Sequence, residues 1–304
     1  MTAPPFALTT DSHAVTTLTI EPNQGPMVVL DELLIQRLEA TFKLVPKNSA
    51  GLILASGSPR VFIAGADLKS IESLDHAGLD RYLANGQRVF AMLCQLPCPT
   101  VAAINGAALG GGLELAMHCD GLVGVAAPVI DGKPKPYPIG LPEAGLAICP
   151  GWGGTNLLPA RVDPLVAIER TCAGKPFTVD EAIAARLFDA VAPDVASLSN
   201  AAAAWLQANR SIHSGRTDSQ PLRWIGRVAG GLKAKAMAAA EQAAQGATAT
   251  TTDQGRACLA AVAAGLDGGW QAALDVERRE LNRLRSEPAG KSAIRAFFDK
   301  AAKK

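Results

Sequence analysis

Short apolar runs alternate with helical patterns through roughly the first two-thirds of the chain, and this alternation restricts the fold more than any other feature. Val15–Ile20 alternates apolar and polar residues, the period of a half-buried strand. Asp31 then opens a helical pattern with Leu33, Leu34, Leu38, Phe42 and Val45 on one side. Residues 51–55, 61–63, 100–104 and 122–125 read as short strands, and a helix from about 79 to 96 is stopped by Pro97 and Pro99. Strands alternating with helices imply an α/β domain with crossover connections. After Thr178 the character changes. A capping box at Thr178 and Glu181 opens a helix, and Ala-rich helical segments follow at 200–209, 232–245, 255–266, 270–285 and 293–302, with 247–252 as a low-complexity link. This places a core at residues 1–200 and a helical region at 201–304.

Composition excludes several classes. In 304 residues, 48% hydrophobic and 19% charged, there is ample material for a core, so a disordered chain is ruled out. Lys and Arg number 29 against 28 Asp and Glu, a net charge of +1 that argues against a nucleic-acid binder. The six cysteines form no CxxC pair and the four histidines do not cluster, so no metal site is expected; the cysteines read as small buried hydrophobes in a reducing compartment. The N-terminal segment lacks a leader pattern. The longest apolar stretch, 101–117, is interrupted by Asn105 and Glu114, which makes it a poor membrane span. The expectation is a soluble, cytoplasmic protein with no membrane partner.

Two glycine-containing turns hold the candidate chemistry. One is Ala64, Gly65, Ala66 and Asp67; the other is Gly110, Gly111 and Gly112, followed at once by Leu113 and Glu114. An amide at the start of a helix has no acceptor within that helix, and two such N–H groups form an oxyanion hole. Taken singly, each turn is equally an ordinary tight turn. Neither continues into GxxxxGK[ST] or a GxGxxG that opens a helix, which removes a P-loop nucleotidase and counts against a dinucleotide-binding dehydrogenase. Glu114 and Glu143 both lie among apolar residues, where desolvation raises a carboxyl group toward values useful for proton transfer. The competing reading is a partly exposed acid pairing with a base, and Glu143 taken singly fits it.

Taken together, these residues resemble one family. Phe-Ile-Ala-Gly-Ala-Asp-Leu-Lys at 62–69, the stretch 99–116 through Asn105, Gly110–Gly112 and Glu114, Cys119 with Asp120, Gly-Leu-Pro-Glu at 140–143, and Pro-Gly-Trp-Gly-Gly-Thr at 150–155 look like successive motifs of the enoyl-CoA hydratase/isomerase (crotonase) superfamily. The helical tail to Phe297 and Phe298 is similar to the hydratase part of bacterial fatty-acid-oxidation multifunctional enzymes.

The resemblance implies an α/β, crotonase-like spiral of ββα units carrying an acyl-CoA site, followed by a helical region that forms a homotrimer or hexamer. It implies hydration of a trans-2-enoyl-CoA to a 3-hydroxyacyl-CoA in fatty acid β-oxidation. The backbone amides of Ala66 and Gly111 would hold the thioester oxygen, Glu114 and Glu143 would be the catalytic pair, and Ala64, Asp67, Leu68 and Lys69 would lie beside CoA. CoA is part of the substrate, so no separate cofactor is implied. A Δ3-Δ2 enoyl-CoA isomerase and a non-catalytic acyl-CoA-binding oligomer are the alternatives; two glutamates favour the hydratase, because the second activates water.

One segment departs from the family pattern. Residues 126–138, with four prolines and two lysines, lengthen the interval between the glutamates and read as a stiff protruding loop. That loop would line the substrate mouth, contact a neighbouring subunit or serve neither purpose. The run Ala201–Ala204 is expected at a bundle or trimer interface. Trp224 and Trp270 are expected as core or interface anchors, and Lys233, Lys235, Lys300, Lys303 and Lys304 on solvated faces.

Overall fold

The computed structural model describes residues 3–213, 218–227, 232–246 and 250–301. Residues 247–249 of the low-complexity link, Met1 and Thr2, and Lys303 and Lys304 lie outside the described residues. The chain forms two compact units, each assembled from three separate stretches: 1–65, 88–139 and 177–222 in the first, and 66–87, 140–176 and 223–304 in the second.

The described residues of the first unit form a six-stranded sheet, most of a four-stranded sheet and a two-stranded hairpin. The larger has six strands in the order Leu8–Thr10, Val15–Ile20, Gly51–Ser56, Thr100–Ile104, Gly121–Val125 and Ala190–Ala192. Its first pair is antiparallel and all later pairs are parallel. Parallel strands are covered on both faces, which is why 52–54, 101–104 and 122–123 read as unbroken apolar runs. The smaller sheet has the order Phe177–Thr178, Pro138–Gly140, Ala107–Leu109 and Val61–Ile63. Twice, a strand of the larger sheet is followed by one of the smaller, at 51–56 then 61–63 and at 100–104 then 107–109. The second of these pairs runs directly into the helix Gly111–His118.

Alternate side chains of the larger sheet, including Val15, Ile53, Val101, Ala103, Val123 and Val125, meet Leu198, Ala202 and Leu206 of the helix Val195–Ala208. Ala201 and Ala203 pack on the same cluster. Three residues of the alanine run therefore pack on this sheet, where small side chains let the helix lie close, while Ala204 is exposed. Strand order is reinforced where Asp120 accepts from the Thr100 amide at 2.8 Å and from its hydroxyl at 3.0 Å.

Local departures from the sequence reading have simple causes. Thr16, on the polar side of the Val15–Ile20 alternation, is fully buried and accepts from Ser49 Oγ at 2.8 Å. The helix Glu32–Phe42 begins where Asp31 accepts from the Leu34 amide at 2.7 Å, but Leu33 is 56% exposed and Val45 lies beyond the helix end. The Pro-rich insertion is a hairpin of Val129–Ile130 with Lys133–Pro134. Its turn residues Asp131 and Gly132 both have positive φ, as a two-residue hairpin turn demands. At its base the buried Tyr137 hydroxyl donates to the Val125 carbonyl.

The second unit is helical, with Leu68–Ser73, Pro164–Ala173, Leu232–Gln245, Asp253–Gly268, Trp270–Leu284 and Pro288–Ala301 as its main helices. Trp224 and Trp270 are buried core anchors with ring centroids 5.8 Å apart. Gln87 Nε2 donates to the carbonyls of both Gly151 (2.9 Å) and Leu274 (3.0 Å). No described helix is long and apolar enough to cross a membrane.

The helix-on-sheet contact gives a direct stability test. Leu206→Ala removes a fully buried side chain from the sheet-covering cluster and is expected to lower the unfolding free energy by about 2–5 kcal/mol. Leu33→Ala, at an exposed position, should change it by less than about 0.5 kcal/mol. Urea denaturation of both variants measures the contrast.

Candidate active site

In the first unit the strand Val61–Ile63 leads into Ala64 and Gly65. The Ala64 amide donates to the Val28 carbonyl at 2.8 Å, and the Gly65 carbonyl accepts from the Leu30 amide at 2.9 Å. Gly65 has φ +118°, and a Cβ there would stand 3.1 Å from the Leu109 carbonyl oxygen. Leu109 ends its strand, and Gly110 (φ 52°) turns the chain into the helix Gly111–His118. Gly112 lies so close to Ile63 that a Cβ would overlap the Ile63 carbonyl. These contacts lay Gly65 and the 109–112 stretch against each other, a packing that only glycine permits.

The first helical hydrogen bond runs from the Glu114 amide to the Gly110 carbonyl at 3.0 Å. The amides of residues 111–113 therefore have no acceptor within their own helix, and the helix dipole adds positive potential there. Every residue of this helix is buried, Glu114 included at 1% exposure. The Glu114 carbonyl lies 2.8 Å from His118 Nδ1, and the His118 ring packs edge-on against Phe90. The glycine turn thus delivers a carboxyl side chain into a core otherwise filled by Leu113, Leu115, Ala116 and Met117.

The second unit carries the other candidates. Asp67 caps the helix Leu68–Ser73, accepting from the Ser70 hydroxyl at 2.7 Å and from the amides of Ser70 (3.2 Å) and Lys69 (3.3 Å). Its carboxylate is committed to its own helix, whereas Lys69 is exposed. Glu143 follows Gly-Leu-Pro and opens a 3-10 turn, Glu143–Leu146, and its carbonyl accepts from the Ile148 amide at 3.2 Å. Glu143 Oε2 is sealed from solvent and has no hydrogen-bond partner. Burial pushes this carboxyl group up to about 8; a hydrogen bond from its own amide opposes the rise, and the like charge of Glu277 adds to it. The residue is partly exposed, as the competing reading has it, but no base meets Oε2.

Glu277 was not among the residues singled out from the sequence. It is fully buried in the helix Trp270–Leu284 and accepts from the Gly153 amide, the Thr155 hydroxyl and, at 2.9 Å, the Thr155 amide. Burial pushes its carboxyl group upward while these three donors oppose the rise. A signal was present in the sequence: Trp270, Ala273, Leu274, Glu277, Leu281 and Leu284 recur at helical spacing, so an acid occupies the apolar stripe. All six cysteines are buried thiols. Among the described residues no group of three or more His, Cys, Asp or Glu side chains is arranged to hold a metal ion.

Comparisons with known proteins bear on the family and the fold. The family model described as enoyl-CoA hydratase/isomerase matches residues 13–222. The fatty acid oxidation complex subunit alpha of Aliivibrio fischeri is 36% identical over 192 residues, 62% of this chain. The match spans only 27% of that relative's length. An enoyl-CoA hydratase structure from Bacillus anthracis superposes with a TM-score of 0.59 at 23% identity, covering 97% of this chain and 96% of that one. The human mitochondrial Δ3-Δ2-enoyl-CoA isomerase gives 0.64 at 20% identity, covering 98% of both chains. These likenesses show that the crotonase-like α/β fold implied by the motifs is the fold of this chain, with helices at its C-terminal end.

The buried acid makes a pH-dependent prediction. Glu143 keeps its proton to about 8 in the folded chain against 4.5 ordinarily, so between these values the native state binds the proton more tightly than the unfolded state. Its contribution to stability is complete below 4.5 and is lost as pH rises through 8. Thermal unfolding from about pH 5 to about pH 9 should show wild type losing stability relative to Glu143→Gln as pH rises. A constant difference across that window would contradict the shift.

Proposed function

Because the chain belongs to the enoyl-CoA hydratase/isomerase family, we propose that it is an enoyl-CoA hydratase, adding water across the double bond of a trans-2-enoyl-CoA to give a 3-hydroxyacyl-CoA. The observation that carries the hydratase over the isomerase is Glu114, a buried carboxyl group on the first turn of the glycine-led helix. Isomerisation moves a proton and needs one acid–base group near Glu143. Hydration must also activate a water molecule, and a second carboxylate is the group for that task.

In this reading the amides of Ala66 and Gly111 donate to the thioester oxygen. Glu114 takes a proton from water as the water oxygen bonds to C3, and the C2–C3 π electrons pass into an enolate on the thioester oxygen. Glu143 then delivers its proton to C2, and proton exchange restores both acids. Two fixed amide donors stabilise the enolate without reorganising; removing one such donor typically costs about 2.7–4 kcal/mol of barrier. A carboxyl group held at about 8 is protonated at neutral pH, which suits Glu143 to the acid role. Ala64, Asp67, Leu68 and Lys69 lie along the CoA moiety; the Asp67 side chain contributes there as a helix cap. We also read the protein as a cytoplasmic homotrimer or hexamer of fatty acid β-oxidation with no cofactor beyond the CoA of its substrate. The likeness to the fatty acid oxidation complex subunit of Aliivibrio fischeri supports the pathway.

Steady-state hydration of crotonyl-CoA and of a long-chain 2-enoyl-CoA tests the proposal. Glu114→Gln and Glu143→Gln should each lower kcat by roughly 10²–10⁴ with KM little changed. Turnover of a 3-enoyl-CoA that survives Glu114→Gln would replace the hydratase with an isomerase, and acyl-CoA binding without turnover of either substrate would replace it with a binding protein.

A further inference from the structure

Glu143 opens a turn that two distant helix ends grip. The turn is closed by its own amides: Gly145 donates to the Pro142 carbonyl at 2.9 Å, Ala147 to Ala144 at 3.1 Å and Ile148 to Glu143 at 3.2 Å. Gly174 ends the helix Pro164–Ala173 with φ +62°. A Cβ on Gly174 would overlap the Gly145 nitrogen and stand 2.9 Å from the Ala144 carbonyl carbon, so two backbones touch with no side chain between them. The second grip is Gln254, in the first turn of the helix Asp253–Gly268, whose Nε2 donates to the Ala144 carbonyl at 3.3 Å. The two helix ends are themselves tied, because the Cys172 thiol donates to the Gly255 carbonyl at 3.6 Å. Glycine in a left-handed conformation is an ordinary helix cap, and asparagine also serves there. It is the contact with Gly145, not the cap, that excludes a side chain at 174.

We propose that Gly174 and Gln254 are positioning residues for Glu143: the bare backbone of one and the amide donor of the other fix the Ala144–Gly145 peptide, and with it the residue that opens the turn. The chemical use of Glu143 rests on the hydratase reading; the grip on its turn does not. Movement of the turn toward Gly174 is blocked by backbone contact, and any movement that separates Ala144 from Gln254 gives up a hydrogen bond. The tether has a firm base. Thr252 Oγ1 accepts from the Gly255 amide at 3.1 Å, and Arg283 meets both oxygens of Asp253, at 2.7 and 3.0 Å. An acid that must reach one substrate carbon needs such support, since a misplacement of about 1 Å can cost roughly 10²-fold in rate.

The test separates a grip on the turn from general stability. Gly174→Asn keeps a residue that tolerates the left-handed cap and adds a side chain at the contact; kcat for crotonyl-CoA hydration should fall by roughly 10–10²-fold with KM little changed. Gln254→Leu keeps most of the volume and removes the donor, and kcat should fall by about 2–10-fold, again with KM little changed. In both variants the Gly145, Ala147 and Ile148 amides, followed by NMR, should exchange with deuterium faster than in wild type. Leu206→Ala, weakened in the first unit, should keep wild-type kcat at a temperature where it is folded; a matching loss there would make the effect one of general stability and overturn the proposal. If Gly174→Asn does not fold, Gln254→Leu decides alone. With an active wild type, a folded variant that changes only kcat, only exchange or neither overturns the proposal. A wild type that hydrates no enoyl-CoA defeats the hydratase reading alone if exchange quickens in the variants, and defeats both if it does not.

Discussion

The close approach of Gly112 to the Ile63 carbonyl is the contact on which the arrangement of the first unit's glycine turns depends. A side chain at 112 would push the helix Gly111–His118 away from the strand Val61–Ile63. Gly65 would then leave Leu109, and two backbone stretches far apart in sequence would no longer lie together. After proline, glycine is the poorest helix former, so a glycine run at a helix start is unfavourable by itself. Tertiary packing offsets that cost, and the result is a helix whose first amides lie beside a second turn and whose first turn carries Glu114.

The second unit handles its acids in two opposite ways. Glu277 is surrounded by donors, and Glu143 Oε2 by none. Burial raises both carboxyl groups; three donors oppose the rise at Glu277, whereas at Glu143 its own amide opposes it. Two identical side chains in one unit thus differ in what their neighbours donate, the kind of difference by which folds separate acid and base roles near neutral pH. The helix bearing Glu277 also supplies Trp270 and Leu274 to the core, so the anchor and the apolar packing are set by one element.

Much of this was legible in the sequence because burial on both faces of a parallel sheet writes continuous apolar runs, as at 51–56 and 100–104. Caps were legible too: Thr178 and Glu181 form both halves of the box their spacing implies. The strands Leu8–Thr10, Pro138–Gly140, Phe177–Thr178 and Ala190–Ala192 were not, since two or three residues show no period and their pairing comes from distant partners. The apolar neighbours of Glu143 revealed its desolvation in advance, but the like charge that adds to it lies far along the chain, and only folding brings the two together. The hairpin within 126–138 was hidden by its prolines, although its Asp-Gly turn was in plain view.

The central claim is that backbone amides at the two glycine turns polarise a thioester carbonyl. Vibrational difference spectroscopy on a ¹³C-carbonyl-labelled 2-enoyl-CoA, bound to Glu143→Gln so that turnover is slow, reads that polarisation directly. The carbonyl stretch should fall to lower frequency on binding than in water, the mark of donors stronger than solvent. A stretch at or above its value in water would contradict the account.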